Sequence, residues 1–99
     1  MTSCRTTLRA DEDISEIYLY GARCFGTGAA DRYIDGLGRV LSLLAAYPEL
    51  SRQRPEFTPP LRAHPYGSHV ILYREDAKGV LVLRVLAGGM DWQRHLEDI

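Results

Sequence analysis

The sequence predicts an α+β fold in which an N-terminal helical hairpin packs on an antiparallel sheet and a short helix closes the chain. Apolar residues recur at helical spacing through the first half, and apolar stretches of strand length fill the second. A proline-rich segment, Glu49 to Pro60, separates the two regimes. With 99 residues and 45% hydrophobic content, residues 1–99 read as one domain.

Each element has a local cause. Cys4 to Thr7 is short and threonine-rich, which favours an extended segment. Thr7 can then cap a helix whose first turns carry Asp11, Glu12 and Asp13, acids that suit the positive end of the helix dipole. Ile14, Ile17, Tyr18, Gly21 and Phe25 recur on one face, and Gly26 to Gly28 break the helix. A second helix is expected between Ala29 and Tyr47, with Tyr33, Leu37, Val40, Leu41, Leu44 and Tyr47 on one face and Pro48 just past its end. So short a break predicts an antiparallel hairpin.

Glu49 to Pro60, with Pro55, Pro59 and Pro60, reads as a connecting loop. Three strands are expected after it: Leu61 to His64, His69 to Arg74 and Val80 to Leu86, joined by the turn sequences PYGS and EDAKG. Asp91 can cap a last helix with Trp92 to Leu96 as its body. The expected order is β-α-α-β-β-β and then a short helix.

Composition narrows the function classes. The formal charge is −1, with eleven arginines and the single Lys78, so a general grip on nucleic acid, which needs a large basic surplus, is disfavoured. No apolar stretch approaches the roughly 20 residues needed to cross a bilayer, and the start MTSCRTTLRA has no apolar segment behind a charged head. A cytoplasmic protein is expected. Cys4 and Cys24 lie far apart without metal-type spacing and read as small hydrophobes.

The strands are apolar on both faces: Val70 and Leu72 point one way, Ile71 and Tyr73 the other. One hairpin covers one face only. The second helix also has an apolar arc of roughly 180°, wider than a one-sided helix needs. Either a partner covers the excess or the loop Glu49 to Pro60 folds over the second face.

Catalytic signals are weak. His64 and His69 flank a four-residue turn and can face each other across the hairpin, but spacing provides no third metal ligand. Arg62, His64, Tyr66, Arg74 and Arg84 are the residue types of a ribonuclease site, without a motif to bind them together. There is no GxSxG, Walker-type loop, HExxH or GxGxxG. No catalytic residue, metal or cofactor is expected.

Taken together, RADEDISEIYLYGARCFG, ADRYIDGL, LLAAYPEL, RPEFTPPLRAHPYGSHVILYR and RVLAGGMDWQRHL resemble the ParE-type toxins of type II toxin–antitoxin pairs, within the RelE/ParE superfamily. The likeness spans almost the whole chain. It implies a toxin that binds and stalls DNA gyrase, held inactive by a ParD-type antitoxin whose C-terminal segment folds onto it and through which alone it meets DNA. Ile17, Leu19, Tyr20, Tyr33, Leu37, Leu41, Ile71 and Tyr73 are the expected antitoxin contacts. Arg84, Met90, Trp92, Arg94 and His95 are the expected target contacts, with Trp92 open to a packing role instead. The family end commonly reads RVLHGRMDW, and Ala87 and Gly89 stand here where His and Arg are usual. Two alternatives remain: a RelE-like messenger-RNA endoribonuclease acting on the ribosome, against which low basicity argues, and a non-toxic homologue that only binds antitoxin.

Overall fold

The computed structural model describes residues 3–89 and residue 92. β1 (Ser3–Thr6) leads into α1 (Leu8–Phe25) and α2 (Thr27–Ala46). A single 3-10 turn (Pro48–Leu50) follows, then β2 (Gln53–Arg54), β3 (Leu61–Tyr66), β4 (His69–Asp76) and β5 (Gly79–Ala87). The strands form one sheet in the order β1-β5-β4-β3-β2. All pairings are antiparallel except that of β1, which lies parallel to β5 after the helical crossover.

Thr7 caps α1 as expected, its hydroxyl accepting from the Ala10 amide at 3.0 Å. The same hydroxyl donates to the Leu83 carbonyl at 2.8 Å, and the Thr7 amide donates to the Val82 carbonyl at 3.1 Å. The cap therefore fixes where α1 leaves the sheet. The break between helices is one residue, narrower than the sequence suggests. Gly26 has φ +89°, closes α1 by donating to the Ala22 carbonyl, and accepts from Ala30 in α2. Gly28 keeps ordinary helical dihedrals inside the first turn of α2, since only one reversal is needed.

The hairpin buries one face against the sheet. Leu37 and Leu44 of α2 meet Ile71 and Tyr73 of β4 and Val80, Val82 and Val85 of β5. Each side chain so removed from water contributes about 1.5–3 kcal/mol. The Tyr73 hydroxyl, buried with its ring, donates to the Pro48 carbonyl at 2.7 Å and ties down the turn after α2.

The second sheet face is not bare: of the two expected covers, the loop and not a partner lies over it. Leu61, Val70, Leu72, Leu83 and Leu86 form a second apolar cluster beneath Phe57 of the β2–β3 loop and Trp92. The Phe57 and Trp92 rings lie 6.1 Å apart, and the Arg54 guanidinium stands 5.4 Å from the centre of the Trp92 ring. The proline-rich loop is thus a cover, and its Gln53 and Arg54 pair with β3 as a short edge strand that the prolines obscured in the sequence. The β3–β4 turn is also tighter than PYGS suggests. Tyr66 pairs with His69 around Gly67 (φ +54°) and Ser68, and His64 pairs with Ile71, so His64 and His69 do not face each other. The expected closing helix lies outside the described residues except for Trp92.

Candidate functional site

Apolar surface remains open where the hairpin of helices meets the start of β4. Ile17, Tyr20, Gly21 and Phe25 of α1, Ala29, Ala30, Tyr33 and Ile34 of α2, and Ser68 and His69 line a groove of about 190 Å³. Its rim residues Tyr20 and Phe25 are 63% and 73% exposed, so the fold itself leaves this surface to water. Small residues make the floor. A Cβ on Gly21 would stand 3.6 Å from that of Ala30, which lets α1 and α2 approach closely beneath the larger rim side chains.

The groove continues past Ile17, Tyr20, Ser68 and His69 into a wider hollow of about 550 Å³, walled by Asp13, Glu16, Arg84, Val85, Leu86 and Ala87. A bulge in β5 organises this end. Leu72 pairs with Arg84 and Tyr73 with Val82, which leaves Leu83 without a partner across the ladder. After the bulge both Arg84 and Val85 address α1. Asp13 accepts from Arg84 Nε at 2.7 Å, Arg84 Nη2 at 2.9 Å and the Val85 amide at 3.0 Å. One carboxylate thus bonds two nitrogens of a buried guanidinium and a backbone amide of β5.

At the junction of the two hollows, His69 Nδ1 lies 2.7 Å from the Tyr33 hydroxyl, with the rings edge-on at 5.5 Å. Burial holds the His69 imidazole below its ordinary pKa, so it is neutral at physiological pH. Burial also pushes the Tyr66 phenol up.

The expected contact residues divide by position. Ile17, Tyr20 and Tyr33 come together in the groove. Leu19 is 58% exposed but does not line it, and Leu41 is half-buried against the main core. Leu37, Ile71 and Tyr73 are core residues without surface to offer, a correction whose reason is that α2 and β4 face each other. Arg84 is likewise buried on Asp13 rather than presented to a target. Trp92 packs on the second sheet face, the packing alternative. Met90, Arg94 and His95 lie outside the described residues.

Phe25, Ala29, Ala30, Ile34, Asp13, Glu16 and His69 join the site without having been assigned to it. The signal for the α1 members was present: positions 13, 16, 17, 20 and 21 fall on one helical stripe. His69 arrives only through the register of the β3–β4 hairpin.

Four of the ribonuclease-type residues are engaged inside the fold. Arg62 donates to Glu75 at 3.0 Å and to the Ser51 carbonyl at 2.6 Å, and His64 Nδ1 lies 2.7 Å from the Ser51 hydroxyl. Tyr66 bonds the Tyr33 carbonyl, and Arg84 bonds Asp13. Among the described residues no group of three or more His, Cys, Asp or Glu is arranged to hold a metal, and no helix is long and apolar enough to cross a membrane.

Comparisons with known proteins agree over most of the chain. A family model described as "ParE toxin of type II toxin-antitoxin system, parDE" matches residues 5–92. Toxin ParE1 of Caulobacter vibrioides is 28% identical over 96 residues, covering 97% of this chain and 99% of that protein. Toxin ParE3 of the same organism is 32% identical over 71 residues, covering 72% of this chain and 71% of its own length. A solved structure titled "Chromosomal ParDE TA system from P. aeruginosa" matches with a TM-score of 0.74 at 20% identity, covering 88% of this chain and 96% of that one. At that identity the likeness is one of fold.

Proposed function

The chain belongs to the ParE toxins of type II toxin–antitoxin systems, and from that premise we propose that it acts in the cytoplasm by binding and stalling DNA gyrase. A ParD-type antitoxin neutralises it by laying a segment into the groove between α1, α2 and the β3–β4 turn, and the toxin meets DNA only through that partner. The observation that carries the antitoxin half is the exposure of Tyr20 and Phe25 above a floor of small residues. A soluble chain tolerates such a patch best when a partner buries it. The gyrase half rests on family membership, with Met90, Arg94 and His95 as its expected contacts.

Action by binding is favoured over RNA cleavage on two grounds. Arg62, His64 and Arg84 are held by Glu75, Ser51 and Asp13 instead of converging on an open site. A pI near 6.3 is also poorly suited to settling among ribosomal phosphates.

The test is to induce the chain alone and together with the product of the adjacent reading frame, following growth, supercoiling by purified gyrase and messenger-RNA integrity. Growth arrest relieved by the neighbour, loss of supercoiling and intact messenger are expected. Messenger cleaved at codon boundaries with gyrase unaffected would overturn the proposal. Removal of residues 93–99, which spares Trp92 and the cover it provides, should abolish arrest while leaving antitoxin binding intact.

A further inference from the structure

Among the described residues, the groove has one charge without a counter-ion. Of the ionisable side chains that line its two hollows, Asp13 and Arg84 neutralise each other in a two-pronged ion pair, and His69 is kept neutral by burial. Glu16 is the exception. It is exposed on the wall of the wider hollow, and it makes no ion pair among the described residues. It lies four residues before Tyr20 on α1, which puts the carboxylate and the exposed phenol ring side by side on the same helical face.

We infer that the groove is read by charge as well as by shape: the segment that fills it carries a cationic side chain that lies along the Tyr20 ring and pairs with Glu16, next to an apolar side chain seated between Phe25 and Tyr33. This rests on the proposed antitoxin partnership and specifies the chemistry of the partner. The apolar half follows from size. A hollow of 190 Å³ slightly exceeds the ~150 Å³ cavity that takes up a benzene ring, so it accepts one aromatic or branched aliphatic side chain. The cationic half follows from complementarity. A lysine or arginine there gains the ring face and the carboxylate together, and an acidic residue at the same place meets Glu16 with no cation to offset it. Glu16 and Tyr20 thereby discriminate among antitoxins of similar shape.

The test titrates the whole chain with the purified product of the reading frame adjacent to its gene. Glu16→Lys is expected to weaken binding about tenfold or more at low salt, with the loss shrinking as salt approaches about 0.5 M. Glu49→Lys makes the same charge change beyond the far end of α2 and should leave binding within about twofold of wild type. Both positions are exposed, so both variants should melt as wild type does. Wild-type binding that Glu16→Lys leaves within about twofold, while Tyr20→Ala weakens it, overturns the charge inference and leaves the toxin–antitoxin reading standing. Failure of the wild-type chain to bind removes both.

Discussion

Tyr33 and Tyr66 hold each other reciprocally: the Tyr66 hydroxyl donates to the Tyr33 carbonyl at 2.7 Å, and the Tyr33 hydroxyl donates to the Tyr66 carbonyl at 3.2 Å. Their rings pack at 4.9 Å. The clasp joins α2 to the β3–β4 hairpin and sets one wall of the groove. With the Tyr33 proton on the Tyr66 carbonyl, His69 Nδ1–H completes the chain by donating to the Tyr33 oxygen.

Two glycines leave room for the clasp, and the contrast with a third is a test. A Cβ on Gly36 would fall against the Tyr66 hydroxyl, and one on Gly67, already at φ +54°, against the Tyr33 ring. Gly38, two residues along the same helix, faces open space. Gly36→Ala should cost about 1–3 kcal/mol through overpacking, and Gly38→Ala should gain about 0.4–1 kcal/mol by restricting the unfolded chain. Urea denaturation of the two variants should therefore move the midpoint in opposite directions.

The Asp13–Arg84 pair should respond asymmetrically to truncation. Asp13→Ala removes the carboxylate that takes Nε and Nη2 of a buried guanidinium and is expected to cost about 3–5 kcal/mol. Asp13→Ala combined with Arg84→Met removes the charge as well and should recover most of that loss, the Val85 amide remaining the unsatisfied group. Thermal melts of the single and double variants check this, and an additive double variant would show that the pair is not coupled.

Stability should fall on the acid side because of His69. Burial lowers its pKa below the ordinary 6.5, so as pH drops through that value the unfolded chain takes up a proton that the folded chain still refuses. Folded stability is then full above the ordinary pKa and declines as pH falls toward the lower, folded-state value. Between about pH 7.5 and about pH 5.5 the wild type should lose more stability than His69→Gln. Equal losses in the two proteins would remove His69 as the cause.

Trp92 is the chain's single tryptophan, and its fluorescence reports on the second sheet face. Phe57→Ala should shift the emission to the red as water reaches the ring, at a stability cost of about 1–3 kcal/mol. An unshifted spectrum would mean that Trp92 does not rest on Phe57.

The sequence by itself determined what depends on neighbours along the chain. Thr7 reads as a cap because its hydroxyl reaches an amide three residues on, and the helices read as helices because Ile14, Ile17 and Gly21, or Leu37, Leu41 and Leu44, repeat every three to four positions. The β-α-α-β-β-β order and the two-sided character of β4 follow in the same way. What only the tertiary structure decided are the relations between residues far apart in number. The Leu83 bulge turns Arg84 and Val85 toward Asp13, some seventy positions away, and the two-residue turn brings His69 to Tyr33 instead of to His64. The loop, which reads as a connector or a cover, is decided as a cover by Phe57 resting on the second apolar cluster, and Leu37, Ile71 and Tyr73, apolar like the residues of the groove, end in the core. The physical reason is that an apolar side chain carries no local mark of which surface will bury it. Burial is set by strand register and helix crossing, and these are settled only when distant segments meet.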